Sequence, residues 1–309
     1  MSHIPVLVKE VLEYLDPKPG ENFIDGTVGQ SGHSILILKK NNPDGRVLGI
    51  DFDLEQIKNS RLQTQQVKER IILVHDSYAN IKDIAQKNNF KPVHGILLDL
   101  GYSSWQLENS KKGFSFSKDE LLDMRYNLEN TLTAEKIVNE YSESQIQRIL
   151  EEYGEEKFAR QIAKKIIETR DKKKIRTTFD LMDVIVSAVR GKRYAIPMLA
   201  SGDHRGLSIW AKAHIGARSF QALRIAVNGE LESLKTALPD ALSVLASGGR
   251  LAVISFHSLE DRIVKNFFKD SVQEGIATIL TKKPVTAKED ELKANSRSRS
   301  AKLRAITKI

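Results

Sequence analysis

Short apolar runs alternate with helical stretches along the first hundred residues of the chain. The apolar runs are ENFIDGTV, GRVLGID, RIILVHD and VHGILLDLG, and the helical stretches between them are GHSILILKK, LEQIKNSRLQTQ and IKDIAQKNN. This alternation is typical of a parallel sheet covered by helices, whose ligands bind beyond the carboxyl ends of the strands. The loops that follow Asp25, Asp51, Val74 and Leu98 are therefore the candidate ligand loops.

The strand pattern stops at about Ser103 and returns only at GGRLAVISF. The stretches in between, such as AEKIVNEY, SQIQRILEEYG and KFARQIAKKIIETR, have helical periodicity. The pattern predicts an α/β protein in which a mostly helical domain, residues 103–205, is inserted into a Rossmann-like sheet formed by residues 1–102 and 206–309. In the helical stretch before the returning strand, Pro239 is expected to break or kink the helix.

The C-terminal forty residues contain two further strand-like segments, ATILTK and AKLRAITK. They are predicted to form an antiparallel pair. The polar stretch AKEDELKANSRSRS joins them, and its composition predicts a mobile segment.

Positive charge is concentrated in two parts of the chain. The net charge is +8, but residues 157–193 alone contribute +8 and residues 281–309 contribute +6, which leaves −6 for the remainder. Such clustering indicates a surface for a polyanion, and the alternative is a solvated helix face with a basic tail.

The composition excludes several classes of protein. The chain has no cysteine, so disulfides, thiolate metal sites and cysteine nucleophiles are ruled out. No apolar run is long enough to span a bilayer, which predicts a cytoplasmic protein without a membrane partner. The histidines and carboxylates show no convincing metal-ligand spacing, so no metal is expected.

The stretch DGTVGQSGHS, residues 25–34, follows a predicted strand and opens a predicted helix. Its glycines at positions 26, 29 and 32 allow backbone amides to approach an anionic ligand. The spacing is GxxGxxG, whereas dinucleotide sites use GxGxxG, which argues against NAD and FAD.

Asp51 ends the next strand, where an acid binds a ribose diol in such folds. S-adenosylmethionine fits this combination. The alternative role for Asp51 is a helix cap, although Asp53 is better placed for one.

Several longer motifs occur together and in order: HIPVLVKEVL, DGTVGQSGHS, GILLDLGYSSWQL, KKGFSF, LLDMRY, RSFQALRIAVNGEL and ISFHSLEDRIVK. With these motifs the chain closely resembles the bacterial 16S ribosomal RNA cytosine-N4 methyltransferase family, over nearly its whole length. The resemblance implies methyl transfer from S-adenosylmethionine to the exocyclic amine of a cytidine in the decoding region of small-subunit ribosomal RNA. The implied partner is this ribosomal RNA, no DNA partner is expected, and the oligomeric state is left open.

The resemblance also implies a set of cofactor-binding residues: Ser31, Gly32, His33, Asp51, Tyr78, Asp99 and Gln106. The sequence departs from the family pattern at Ser31, where a glycine is usual. A side chain at a point of close backbone approach is expected to alter cofactor affinity.

The absence of cysteine agrees with transfer to nitrogen, since methylation of a pyrimidine at carbon 5 normally requires a thiolate adduct. The cytosine amine is a weak nucleophile and must be aligned by hydrogen-bond acceptors. Asp99 is the candidate catalytic residue, either through the cofactor or by orienting the amine, and the alternative is a structural acid. His257, Glu260 and Asp261 are interpreted as a helix-capping loop.

Two other functions compete with this prediction. A nucleotide-dependent oxidoreductase would share the sheet but should contain GxGxxG. A non-catalytic RNA-binding ribosome-assembly factor could retain the cofactor fold, and activity on ribosomal particles would distinguish it from an enzyme.

Overall fold

A computed structural model describes residues 4–189 and 209–309 of the chain. It contains a seven-stranded sheet whose strands are β1 Phe23–Asp25, β2 Val47–Asp51, β3 Ile71–His75, β4 Val93–Asp99, β5 Leu245–Ser255, β6 Ala277–Ile279 and β7 Lys302–Lys308. The helices in the described ranges are α1 Val8–Leu15, α2 Gly32–Lys40, α3 Leu54–Gln63, α4 Ile81–Lys87, α5 Ser104–Asn109, α6 Ala134–Glu140, α7 Glu143–Gly154, α8 Ala159–Arg170, α9 Thr178–Val189, α10 Ile209–Asn228, α11 Glu230–Val244, α12 Ser258–Gln273 and α13 Glu289–Ala294. None of these helices is long and apolar enough to cross a membrane.

The strand order in the sheet is β3-β2-β1-β4-β5-β7-β6. Strands β1 to β5 are parallel, and β7 runs antiparallel to both β5 and β6. The prediction of an α/β Rossmann-like sheet with a final antiparallel pair is confirmed. The chain proceeds outward from β1 to β3 on one side and from β4 to β5 on the other, so β1 and β4 flank the switch point at which ligands of such sheets bind.

The chain folds into two compact units. The first contains residues 1–101 and 231–309, and the second contains residues 102–230. The predicted boundary at 205 falls within residues 190–208, outside the described part of the chain. The second unit extends beyond it because α10 packs on α7 and α9 of the same unit.

The second unit is helical and has its own core. Apolar side chains from α7, α8, α9 and α10 meet there, among them Ile146, Ile162, Met182 and Phe220. Gly154, at the end of α7, permits a close approach because its Cα faces the carbonyl of Arg218 in α10.

The helix interruption before β5 lies at Gly229, between α10 and α11, and not at Pro239 as the sequence suggested. Helix α11 continues through Pro239. Leu234, Leu238 and Leu242 of α11 are buried on both sides of the proline. Packing of these side chains compensates for the missing backbone hydrogen bond, because tertiary contacts supply most of the stability of a helix.

Candidate cofactor site

The loop between β1 and α2 is fixed to both neighbouring strands. The amide of Gly26 donates a hydrogen bond to the carbonyl of Leu97 in β4, and the amide of Val28 donates to Ile50 in β2, each at 2.9 Å. The glycine loop thus lies at the switch point of the sheet.

Asp25 stabilises this loop through two hydrogen bonds. Its Oδ1 accepts a hydrogen bond from the Thr27 amide at 3.2 Å, and its Oδ2 accepts one from the Ser34 hydroxyl at 2.6 Å. The side chain is buried, and burial raises the pKa of Asp25. Sequence reasoning missed this residue. The available signal was an aspartate at a strand end with hydroxyl residues on both sides of the glycines.

Asp51 ends β2 and holds the glycine loop directly. Its Oδ2 accepts from the Gly29 amide and its Oδ1 from the Asp53 amide, each at 2.9 Å. Each oxygen retains a lone pair for another donor. Asp53 is the cap of α3, since its Oδ1 accepts from the Glu55 amide at 3.1 Å. Asp51 therefore keeps acceptor capacity for a ligand hydroxyl, and its ribose role stays a prediction.

His33 and Asp99 face each other across the switch point. His33 is in the first turn of α2, Asp99 ends β4, and His33 Nε2 lies 3.6 Å from Asp99 Oδ2. The Asp99 amide donates to the Thr27 hydroxyl at 2.7 Å, which fixes the strand end to the glycine loop. Within the described residues, His33 Nε2 and Asp99 Oδ1 are buried without a hydrogen-bond partner. Such atoms are costly in a folded protein, and a ligand is a common reason for them.

Ser31 does not obstruct the loop in the way the sequence suggested. Its backbone is left-handed, with φ of 63°, which turns the side chain toward α3. The buried Ser31 hydroxyl is hydrogen-bonded there to the hydroxyl of Ser60. The expected effect of this side chain on cofactor affinity therefore has no steric basis in the structure.

Tyr78 follows β3 and lies beside the glycine loop. A methyl group in place of the Gly26 hydrogen would lie 3.3 Å from Tyr78 Cβ. Gln106 belongs to the second unit, where it completes a capping box with Ser103 at the start of α5. The structure thus brings six of the seven predicted cofactor residues to adjoining strand ends of the first unit. A cofactor role for all seven remains a prediction.

His257 and Glu260 begin α12, as the helix-capping interpretation expected. His257 accepts a hydrogen bond from the Glu260 amide, and Glu260 Oε2 accepts from the Phe256 amide at 2.8 Å. Asp261, in the same turn, is paired with Arg304 of β7 at 2.7 Å. The SFHSLEDR motif therefore fixes α12 to the sheet.

Comparison with known proteins assigns the chain to a family. The model of the MraW methylase family matches residues 1–309. The chain belongs to the MraW methylase family. It is a methyltransferase, and S-adenosylmethionine, the cofactor expected from the glycine loop and Asp51, is its methyl donor.

Close relatives of this methylase carry one name, ribosomal RNA small subunit methyltransferase H. The protein from Heliobacterium mobile is 43% identical over 323 residues, covering 99% of both chains. The one from Sulfurihydrogenibium is 44% identical over 309 residues, covering 100% of both. One of the similar solved structures shares much less sequence with this chain. An rRNA methylase from Streptococcus thermophilus has a TM-score of 0.45 at 9% identity, covering 100% of this chain and 99% of the other, and adds nothing to the assignment.

The residues at the switch point of this methylase fit a nucleoside cofactor with an amino-acid group. The glycine loop presents amides at the start of α2, Asp51 has lone pairs free for hydroxyl donors, and two buried polar atoms of His33 and Asp99 are without partners among the described residues. S-adenosylmethionine supplies an electrophilic methyl group when bound. The protein supplies position and hydrogen bonds.

Cofactor affinity is expected to decrease as the pH falls through about 7. Burial raises the pKa of Asp51 to about 7, although hydrogen bonds from the Asp53 and Gly29 amides act in the opposite direction. A carboxylate accepts hydrogen bonds from a diol in its ionised form, so below the pKa a proton must leave before binding. The dissociation constant of S-adenosylhomocysteine at pH 6 should be about tenfold higher than at pH 8.

Calorimetric titration in buffers of different ionisation enthalpy checks this prediction, because protons should be released on binding below pH 7. The variant D51N is the control and should show weak binding without this pH dependence. A pH dependence that persists in D51N would assign the titration to another group.

Proposed function

We propose that this methylase transfers a methyl group from S-adenosylmethionine to the N4 amine of a cytidine in the decoding region of small-subunit ribosomal RNA. The observation that carries the proposal is the carboxylate of Asp99, which ends the strand at the switch point with Oδ1 buried and without a partner among the described residues. The relatives' name supports ribosomal RNA as the substrate. The position on the base comes from the sequence resemblance and the chemistry.

Transfer to an exocyclic amine needs alignment more than activation by a covalent adduct. The amine lone pair is delocalised into the ring, so a hydrogen-bond acceptor that holds the amine protons favours the geometry of attack. Asp99 Oδ1 is the acceptor we assign to this role. His33, 3.6 Å from the other carboxylate oxygen, limits how that carboxylate can rotate. No thiolate is present in the chain, which agrees with nitrogen as the methyl acceptor.

The helical unit offers a basic surface for the RNA. Seven lysine and arginine side chains just before α8, in its first half, or between α8 and α9 are exposed: Lys157, Arg160, Lys164, Lys172, Lys173, Lys174 and Arg176. Lys164 and Lys173 are paired with Glu168 and Asp180. The other five have no carboxylate within 4.0 Å in the described part of the chain. Unpaired cations of this density suit phosphate contacts. Arg190, Lys192 and Arg193 of the predicted footprint lie outside the described residues.

Charge reversal on this surface is expected to weaken RNA binding and its salt dependence together. Each lost phosphate contact should reduce the slope of log K against log salt by about 0.7 to 0.9. The variant K172E/K174E should therefore bind 16S ribosomal RNA about tenfold more weakly in low salt, with a shallower slope. Filter binding between low and physiological salt measures both quantities.

The matched control is K265E/K269E, which makes the same charge change on exposed lysines of α12. Equal loss of affinity in the two double variants would show that binding follows net charge and that the helical unit holds no specific footprint.

The decisive experiment is transfer of labelled methyl groups from S-adenosylmethionine to small ribosomal subunits from cells lacking this protein. Nucleoside mass spectrometry of the RNA then identifies the product. N4-methylcytidine is the expected result, and naked 16S RNA assayed in parallel shows whether the assembled particle is required. Another methylated nucleoside would overturn the proposed position. Binding to particles without transfer would favour the ribosome-assembly factor.

A further inference from the structure

The N-terminal segment of residues 4–7, here called the N-terminal strap, lies against the start of α2. A methyl group in place of the Gly32 hydrogen would overlap Pro5 Cγ. Gly32 is the first residue of α2, so the strap packs where the helix amides begin. A displacement of Pro5 would therefore change the packing beside the glycine loop.

The two halves of the strap are held differently. Val6 and Leu7 are buried in the apolar core of the first unit, whereas Ile4 is 54% exposed and the strap belongs to no strand. Leu7 is the first flanking residue of α1 and has a left-handed backbone, with φ of 54° and no side-chain cap for the helix. Apolar burial therefore anchors the second half of the strap, and the polar backbone groups of Ile4 and Leu7 need partners of their own.

The C-terminal part of the chain supplies the missing contacts. Glu291 Oε1, in α13, accepts a hydrogen bond from the Leu7 amide at 2.7 Å. Asn295 Nδ2 donates to the Ile4 carbonyl at 3.0 Å. Two side chains almost 300 residues away in sequence thus form hydrogen bonds with the backbone at both ends of the strap.

Asn295 is itself held by the turn that follows it. Its Oδ1 accepts from the Arg297 amide at 3.3 Å, and its carbonyl accepts from the Ser298 hydroxyl at 2.7 Å. Asn295 and Ser298 are both buried. The sequence NSRSRS, predicted to be mobile, therefore forms an ordered turn that aims the Asn295 amide at Ile4.

We propose that Glu291 and Asn295 are positioning residues for cofactor binding: they hold the N-terminal strap against Gly32 and thereby fix the loop that receives S-adenosylmethionine. Neither residue is among the predicted cofactor contacts, so they act through Pro5. The loss of either hydrogen bond loosens the strap around Pro5 and weakens cofactor affinity without changing the reacting groups.

The variant N295D isolates this contact. Aspartate keeps the side-chain oxygen that accepts from the Arg297 amide, so the turn is preserved. It lacks the amide group that donates to the Ile4 carbonyl, so the hydrogen bond to the strap is lost. S-adenosylhomocysteine should bind N295D at least about fivefold more weakly by calorimetry, because one hydrogen bond is lost and a carboxylate oxygen faces the Ile4 carbonyl. KM for S-adenosylmethionine should rise similarly with kcat unchanged. Amide exchange at Leu7 should become faster.

The variant pair E291A and E291Q repeats the test at the other end of the strap. E291A should behave like N295D, and E291Q, which keeps an acceptor oxygen, should restore most of the affinity. Exposed neighbours in the same segment, changed in E289Q and S296A, serve as matched controls with unchanged binding. Removal of residues 1–5 should weaken binding and abolish any further effect of N295D.

Two results would overturn the proposal. One is a faster Leu7 exchange with an unchanged dissociation constant, which would separate the strap from the cofactor loop. The other is a lower melting temperature and kcat with an unchanged KM for the cofactor, which would make these contacts merely structural. The calorimetric dissociation constant, the melting temperature and the amide exchange need no RNA, so failure here is distinguishable from failure of the proposed substrate.

Discussion

The variant D99N is expected to lower the rate of methyl transfer about 100-fold, with no loss of thermal stability. One carboxylate oxygen of Asp99 is buried without a partner in the described part of the chain, and the other is 3.6 Å from His33 Nε2. Removing the charge of such a group relieves an unfavourable burial, so the melting temperature should stay unchanged or rise. A hydrogen bond to a charged group contributes about 1.5 to 3 kcal/mol, and the loss of one such contact in the transition state accounts for the expected rate.

Steady-state kinetics separate the two roles assigned to Asp99. A raised KM for S-adenosylmethionine with constant kcat indicates a cofactor contact, and a lowered kcat indicates orientation of the amine. D76N is the matched control, since Asp76 also follows a strand of the sheet, the edge strand β3, and its Oδ1 already accepts from Ser77 and Asn80 at 2.7 and 2.8 Å. D76N should keep its activity. Turnover of D99N within twofold of the parent would leave Asp99 with a structural role only.

The sheet was predictable because each of its first four strands is a short apolar run ending in a polar loop. Asp51 and Asp99 were found in this way, since strand ends of a parallel sheet meet at one edge. The same pattern could not show that Asp25 braces the loop from below. That role depends on Ser34 lying in the first turn of α2, which only the folded helix specifies.

Contacts between distant parts of the sequence account for most of what was missed. The polar stretch before β7 has the composition of a mobile linker. Two of its polar side chains, Glu291 and Asn295, nevertheless form hydrogen bonds with the backbone of the N-terminal strap. Pro239 is a helix breaker by its backbone chemistry, yet the leucines around it are buried. In both cases tertiary contacts override a local propensity, and a single sequence does not reveal the partner.

The second large effect is expected at a buried ion pair in the helical unit. Arg224 donates from Nε and Nη2 to the two carboxylate oxygens of Glu230, each at 2.8 Å, and its guanidinium carbon lies 4.7 Å from the centroid of the Tyr102 ring. Burial lowers the pKa of Arg224, but the Glu230 carboxylate outweighs it and keeps that pKa well above its ordinary value. Tyr102 and Glu230 are the first and last residues of this unit. One arginine therefore links both ends of the unit.

The variant R224M should destabilise the helical unit by about 3 to 5 kcal/mol, because it leaves Glu230 charged and buried without its partner. Both tryptophans of the chain, Trp105 and Trp210, lie in this unit, so urea unfolding followed by tryptophan fluorescence measures the change. The double variant R224M/E230L should recover most of the loss, since apolar side chains replace the pair without leaving a charge. K165M, which breaks the half-exposed pair with Glu168, should cost less than about 1 kcal/mol. If R224M cost no more than K165M, the pair would not join the two ends of the unit.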